Sequence, residues 1–229
     1  MKRIVVLTGA GISKESGVDT FRDSNGLWGK YNVKDVASPE GWKKNPQLVL
    51  DFYNERRKKL QDVKPNKAHK ILAELTEEYN VNIITQNVDN LHERAGSRSV
   101  LHLHGELLQA ISTNKENKDI YEITEEDNFE LNVGDTDEKG VQLRPNIVWF
   151  GEPVNLIREA SKLVRMADIF IVIGTSLEVF PAASLLNDVQ DGVPVYIINP
   201  DDTKSDFEAK YIKEKATVGM EILKEKLIK

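Results

Sequence analysis

The chain has 229 residues, 40% of them hydrophobic, and a formal net charge of −6 at pH 7. That length suits one large domain or a domain with an inserted lobe. The acidic balance argues against nucleic-acid binding by bulk attraction, and no apolar stretch reaches a membrane-spanning length. Cysteine is absent, which excludes disulfides, thiol nucleophiles and thiolate metal sites.

The first apolar run, Ile4–Leu7, reads as a strand and leaves no room for a signal peptide, so a cytoplasmic protein is expected. It runs into Gly9-Ala10-Gly11-Ile12-Ser13-Lys14-Glu15-Ser16-Gly17 and on to Thr20-Phe21-Arg22. A strand that ends in glycines and then starts a helix can bring bare amides against a phosphate. The dinucleotide fingerprint needs a third glycine, and Lys14 stands there instead. For the glycines alone, a sterically demanded turn and a phosphate site are level. The polar loop that follows, with an aromatic and a cation, favours a ligand.

Further apolar runs are Val81–Ile84, Ile147–Phe150, Ile169–Ile173 and Val195–Ile198, with a sixth strand expected through Ser99–Leu103. Runs of this kind suit strands buried on both faces. Helical segments over Lys67–Tyr79 and Val154–Met166 separate several of them. The expected fold is α/β, a doubly wound Rossmann-like parallel sheet with a smaller inserted lobe. After these strands come Gly9 and Gly11; Gln86, Asn87 and Asp89; His104-Gly105; Gly174-Thr175-Ser176; and Asn199-Pro200-Asp201. Ligands of open parallel sheets bind at the strands' carboxyl ends, so these clusters mark one ligand edge. One domain is expected over 1–229, with its core near 1–30, 80–108 and 141–229. The lobe takes 31–79, helical with Asn45-Pro46 as a cap, and 109–140. This last segment carries ten Asp or Glu against three Lys.

Of the other histidines, His69 is expected at a partly buried surface position and His92 in a helix. His102 and His104 lie two apart and can share a face. Tyr53 and Arg56 are three apart on a helix over Asn45–Val63 and share a face. From the residues alone, Tyr53 is a core-edge residue followed by a solvated basic run.

The ordered motifs G-A-G-I-S-K-E-S-G, T-F-R, T-Q-N-V-D-N-L-H, H-G, R-P-N-I-V-W-F-G-E, G-T-S and I-N-P-D span residues 9 to 201. Together they resemble the sirtuins, NAD-dependent protein lysine deacylases. The resemblance implies NAD as cofactor. It sets Gly9, Ala10, Gly11 and Ser13 against the pyrophosphate, and Thr20, Phe21 and Arg22 over the nicotinamide ribose. Gln86, Asn87 and Asp89 take the nicotinamide side. Gly174, Thr175, Ser176, Asn199, Pro200, Asp201 and Ala216 take the adenosine half. His104, with Asn87, is implied as catalytic. The acyl-lysine carbonyl oxygen displaces nicotinamide, His104 takes a ribose hydroxyl proton, and the products are free lysine and O-acyl-ADP-ribose. A neutral imidazole suits that proton transfer.

Tyr-x-x-Arg is similar to the branch that removes succinyl and malonyl groups, where a phenol and a guanidinium bind the acyl carboxylate. Ala37 resembles the small residue that admits a bulkier acyl group. Phe150, Gly151 and Glu152, with Leu177, Glu178 and Val179, match the loops between which the peptide adds as a strand. Partners are therefore acyl-lysine proteins or peptides, without nucleic acid or membrane, and a monomer is expected. Most sirtuins hold structural zinc on four cysteines. Ser112 stands near the first, the lobe has none, and no zinc is expected. Asp135 and Asp137 read as a solvated acidic face. ADP-ribosyl transfer or NAD hydrolysis is the second reading, and an NAD-sensing module the third. The retention of His104, Asn87 and Asp89 argues against a sensor.

Overall fold

A computed structural model describes residues 1–20, 27–203 and 207–228, and the side chains from 29 onward in the second of these stretches. In chain order the elements are β1 (Arg3–Thr8), α1 (Ala10–Lys14), α2 (Leu27–Lys30), α3 (Val33–Val36), α4 (Pro39–Lys44), α5 (Pro46–Asp62) and α6 (Lys67–Glu74). Then come β2 (Asn80–Thr85), α7 (Leu91–Arg94), β3 (Val100–His102), β4 (Gly105–Ser112), β5 (Ile120–Glu122) and β6 (Leu143–Ile147). The chain closes with α8 (Ile157–Arg165), β7 (Ile169–Ile173), β8 (Val195–Ile198), β9 (Lys210–Ile212) and α9 (Ala216–Leu227). They fall into two compact units: 1–18, 64–103 and 154–229 form the first, 19–63 and 104–153 the second.

The first unit is a six-stranded parallel sheet in the order β3-β2-β1-β7-β8-β9. The strands after β1 add to one side and those from β7 onward to the other, so the order reverses at β1, as in doubly wound folds. Alternation along the strands supplies both faces. Ile4, Val6, Ile83, Ile171 and Ile173 pack with Ala68, Ile71 and Leu72 of α6 and Met220 and Leu223 of α9. Val5, Leu7, Ile84, Phe170, Val172 and Ile197 pack with Ala160 and Val164 of α8 and with Leu185 and Leu186. Burial of each large side chain here contributes roughly 1.5–3 kcal/mol.

The second unit is built on α5 and a three-stranded antiparallel sheet, β5-β4-β6. Asn45 caps α5 by accepting from the Leu48 amide, with Pro46 in the first turn. Leu50 of α5 meets Ala110, Ile123, Leu131 and Leu143 in a small core. Polar contacts extend it. Asn54 exchanges two hydrogen bonds with the Leu131 backbone, at 3.1 and 3.0 Å, and Arg57 Nε donates to the Phe129 carbonyl at 3.2 Å. Asp137 gathers the far end. One carboxylate oxygen accepts from the Lys139 and Val141 amides, both at 2.9 Å, and the other from Asn117 Nδ2 at 3.0 Å. The Ser112 hydroxyl donates to the same carboxylate. These donors, the Val141 amide foremost, hold the Asp137 carboxyl down at about 2.

Three expectations are corrected. The run Ile147–Phe150 does not join the parallel sheet; Ile147 ends β6, which pairs antiparallel with β4. The division between the units also differs from the sequence partition. Residues 64–79 belong with the sheet because α6 covers one of its faces, while 104–108 and 141–153 belong with the lobe because β4 and β6 pair there. The acidic segment is also more than a solvated face: Asp137 is buried and accepts from Lys139, Val141 and Asn117.

His69 and His92, on α6 and α7, are both fully buried, their rings 4.9 Å apart and inclined at 63°. His69 caps α6: its Nδ1 accepts from the Asn66 amide at 3.3 Å. Burial holds His69 down at about 4, and holds His92 well below its usual value, with the charges of His69 and His102 acting the same way.

Two acid transitions are expected. The unfolded chain protonates these histidines near 6.5, whereas the folded one protonates His69 only near 4 and His92 only well below its usual value, so the folded state binds fewer protons in between. Their contribution, about 3 kcal/mol from His69, is complete above pH 6.5 and is lost as pH falls toward 4. Thermal unfolding midpoints should hold level down to about pH 6.5 and then fall steadily toward about pH 4.5, and His69→Gln should flatten that slope. Asp137 contributes above its ordinary carboxylate value and is lost as pH falls through about 2. Asp137→Asn should speed amide exchange of 112–141 at pH 7 and leave the sheet's exchange unchanged.

Candidate active site

The sheet's carboxyl edge is organised by a close backbone crossing. A Cβ on Gly9 would lie 2.7 Å from Thr175 Cβ, one on Gly11 2.7 Å from Gly174 Cα, and one on Gly174 2.4 Å from the Ile12 nitrogen. Gly174 also has φ +63°. The Gly9 amide donates to the Ile173 carbonyl at 3.0 Å, Gly11 to the Gly174 carbonyl at 2.8 Å and Ile12 to the Gly9 carbonyl at 3.2 Å. Both glycine amides are therefore committed to the protein, unlike the bare amides expected from the sequence. Ala10 is the first-turn amide of α1 with no protein acceptor among the described residues. Glu15, later in the same motif, caps α9 by accepting from the Thr217 amide and hydroxyl at 3.0 and 2.9 Å.

Beneath this turn lies a buried polar network. Ser13 Oγ donates to Asp89 at 2.9 Å and accepts from Asn87 Nδ2 at 3.2 Å; Asn87 Nδ2 also reaches the Gly9 carbonyl at 3.1 Å. Asp89 accepts from the Leu91 amide at 3.1 Å, starting α7. The Asn87 amide donates to Thr85 Oγ1 at 3.0 Å, and Thr8 Oγ1 donates to the same oxygen at 2.8 Å. With its proton so used, the Thr8 hydroxyl accepts from His92 Nε2 at 3.1 Å. Asn87 and Asp89 are thus buried and fixed by neighbours, at 8% and 5% exposure. His102 is also spoken for. Its Nδ1 lies 3.0 Å from the Asn87 carbonyl and its Nε2 2.9 Å from Glu93.

At the next strand ends, Gln86 Nε2 donates to Thr175 Oγ1 at 3.3 Å, and the Leu177 amide donates to the same hydroxyl at 3.2 Å. Leu177 has φ +59° and a buried side chain, so the backbone turns sharply there before exposed Glu178 and half-buried Val179. Ser176 is half-buried. At the end of β8, Asn199 Nδ2 donates to the Asp201 carbonyl at 2.9 Å, and Pro200 and Asp201 are exposed. Ala216 is buried in the first turn of α9 and packs into the sheet's core.

The second unit holds the other group of expected residues. His104 is half-buried, and its carbonyl accepts from the Val148 amide at 2.9 Å. Gly105 follows with φ +81°, and a Cβ there would come 1.9 Å from the Asn146 carbonyl oxygen. The H-G pair is thus fixed by sterics. Tyr53 and Arg56 project from α5, with the Arg56 guanidinium 5.8 Å from the Tyr53 ring centre. Tyr53 is buried, and its hydroxyl accepts from Trp149 Nε1 at 3.0 Å. Burial pushes the phenol up to about 12, against a lowering by the Arg56 charge. The buried Ala37 carbonyl accepts from the amide of exposed Phe150 at 3.0 Å. Gly151 has φ +93°. Glu152 pairs with Arg144 at 3.0 Å and accepts from the Trp149 amide at 2.9 Å. Thr20 is nearly buried, whereas Phe21 and Arg22 lie outside the described residues.

Sequence reasoning gave no role to Thr8, Thr85, Glu93, Arg144 or Trp149. Arg144 and Trp149 stand inside the R-P-N-I-V-W-F-G-E motif, which was the available signal. Thr8 and Thr85 end their strands with a polar residue, a weaker one. The residues that would hold zinc in the resembled family do not fit that metal here: no thiolate exists, and Asp137 is surrounded by protein donors.

The chain is similar to known proteins over its whole length. Residues 9–181 match the Sir2 family. An NAD-dependent protein deacylase of Bacteroides thetaiotaomicron is 52% identical over 231 residues, covering all of this chain and 99% of the relative. One from Helicobacter pylori is 53% identical over 230 residues, covering all of this chain and 98% of the relative. Among solved structures, a Sir2 homologue in complex with NAD superimposes with a TM-score of 0.87 at 40% identity, over 99% of this chain and 90% of the other. With this similarity running the length of the chain and the motif residues gathered at the sheet's carboxyl edge and on the β4–β6 lobe, the chain belongs to the Sir2 family.

Proposed function

We propose that this protein is an NAD-dependent protein lysine deacylase that prefers acyl groups ending in a carboxylate. Full-length similarity to named deacylases carries the first part. The Tyr53 phenol beside the Arg56 guanidinium carries the second. The donor set suits NAD. The open Ala10 amide and the hydroxyls of Thr175 and Ser176 suit phosphate and ribose oxygens, and Asp89 and Asn87 suit a carboxamide. When bound, NAD supplies an electrophilic ribose carbon and a nicotinamide leaving group.

The chain's own residues then divide the work. Asn87 and Asp89, held by Ser13 and Thr85, orient the nicotinamide side without reorganising. His104 takes the ribose hydroxyl proton as general base. The Phe150–Glu152 and Leu177–Val179 segments pair with the substrate backbone, which tolerates many sequences. Tyr53 and Arg56 offer a hydroxyl donor and a planar cation to the acyl carboxylate. Ala37, lacking a larger side chain, leaves room for that group.

The test supplies NAD with matched acetyl-lysine and succinyl-lysine peptides and follows nicotinamide and free lysine. Faster turnover of the succinyl peptide is expected; equal rates would overturn the acyl preference, and peptide-independent nicotinamide release would favour NAD hydrolysis. Arg56→Met should lower succinyl kcat/KM by about 10- to 100-fold, the scale of a hydrogen bond to a charged group, and acetyl kcat/KM far less. His104→Ala should lower deacylation by roughly 10²- to 10⁴-fold, the usual contribution of a general base. NAD binding by calorimetry should persist in that variant.

A further inference from the structure

The Tyr53 hydroxyl has one hydrogen-bond partner among the described residues, and it is a donor. Trp149 Nε1 lies 3.0 Å from it. An indole nitrogen donates and never accepts, so the phenol oxygen must be the acceptor. The phenol proton is left to point elsewhere, with no protein acceptor among the described residues. Without the indole, the same hydroxyl could turn to accept or to donate.

Trp149 is itself firmly held. The Arg144 guanidinium lies 4.1 Å from its ring centre, and Arg144 pairs with Glu152 at 3.0 Å. Glu152 also accepts from the Trp149 amide at 2.9 Å. The Trp42 ring packs 5.8 Å away, and Trp149 is 2% exposed. The preceding amide, Val148, donates to the His104 carbonyl at 2.9 Å. One short segment therefore fixes both the backbone of the proposed base and the direction of the Tyr53 hydroxyl.

We infer that Trp149 is a specificity-determining positioning residue: its indole N–H fixes the Tyr53 hydroxyl as a donor, so that Tyr53 and Arg56 together present only donors to the acyl terminus. A carboxylate supplies acceptors alone and fits that pair, whereas a methyl terminus gains nothing from it. Tyr53 keeps its proton throughout the physiological range because burial raises its pKa to about 12. This inference rests on the acidic-acyl reading above and assigns that reading's selectivity to a residue outside the Tyr-x-x-Arg pair.

The experiment compares wild type, Trp149→Phe, Tyr53→Phe and the double variant, each with succinyl-lysine and acetyl-lysine peptides and saturating NAD. Trp149→Phe keeps an aromatic ring and removes the donor. The succinyl-to-acetyl ratio of kcat/KM should fall about fivefold, the scale of one net hydrogen bond. The change should lie in the succinyl KM and not in kcat. In the Tyr53→Phe background, the same substitution should leave the ratio where Tyr53→Phe alone puts it, because the hydroxyl it orients is gone. An unchanged ratio in Trp149→Phe, in an enzyme whose wild type prefers succinyl, would overturn the inference and leave the acyl preference standing. An equal further fall in both backgrounds would also overturn it, since the effect would not pass through Tyr53. A wild type without succinyl preference would overturn both. If Trp149→Phe does not fold, benzothienylalanine at position 149 keeps the indole shape, replaces the N–H by sulfur and should give the same ratio change.

Discussion

The first unit depends on a place where two stretches of backbone come too close for any side chain. Gly9 and Gly11 leave β1 against Gly174 leaving β7, and a Cβ at any of the three would meet backbone or Cβ atoms at 2.8 Å or less. That contact lets the Gly9 and Gly11 amides bond to the Ile173 and Gly174 carbonyls, locking the β1–α1 turn onto the middle of the sheet. Ser13 is then set one helical turn in, where its hydroxyl meets Asp89 and Asn87. Glu15 is carried to the start of α9, where it caps. A methyl group at the crossing would disturb all of these together, because they share one short helix.

The polar network below the turn trades stability at low pH for fixed geometry. Asn87 and Asp89 are buried among Ser13, Thr85, Thr8, His92 and His102, and almost every polar atom there has a named partner. A satisfied buried network of this kind rigidifies its members. Its cost is the pair His69 and His92, which must stay neutral where the unfolded chain would be charged. Among the described residues, the buried His69 Nε2 and His92 Nδ1 have no hydrogen-bond partner.

In the second unit, directed hydrogen bonds do the work that a larger core would otherwise do. Asp137 collects donors from β4, from the following turn and from its own hairpin. Asn54 and Arg57 tie α5 to 129–131. The neighbouring positions Tyr53 and Arg56 lie on the same helix, so the helix that anchors the lobe also carries the pair proposed to recognise the acyl group. Arg144, Trp149 and Glu152 fix the hydroxyl of Tyr53 from the sheet side.

The chain's local patterns already determined the first unit. Continuous apolar strands such as Ile4–Leu7 and Ile169–Ile173 need two covered faces, and small polar residues after each strand mark the sheet's carboxyl edge. His104-Gly105 and Gly9-Ala10-Gly11 were legible as motifs, because their spacing is short and their residue types are unusual. What the tertiary structure alone decided are contacts between residues far apart in the chain. Trp149 meets Tyr53 across 96 positions and Thr8 meets His92 across 84; no periodicity records such distances. The same holds for α6, which lies in sequence beside the lobe's helices but packs on the sheet, and for Ile147–Phe150, whose apolar run resembles a core strand but pairs with β4. His69 looked like a surface residue because a single polar side chain in a helix carries no sign of its partner. Its burial is set by α7 and His92, which only folding brings against it.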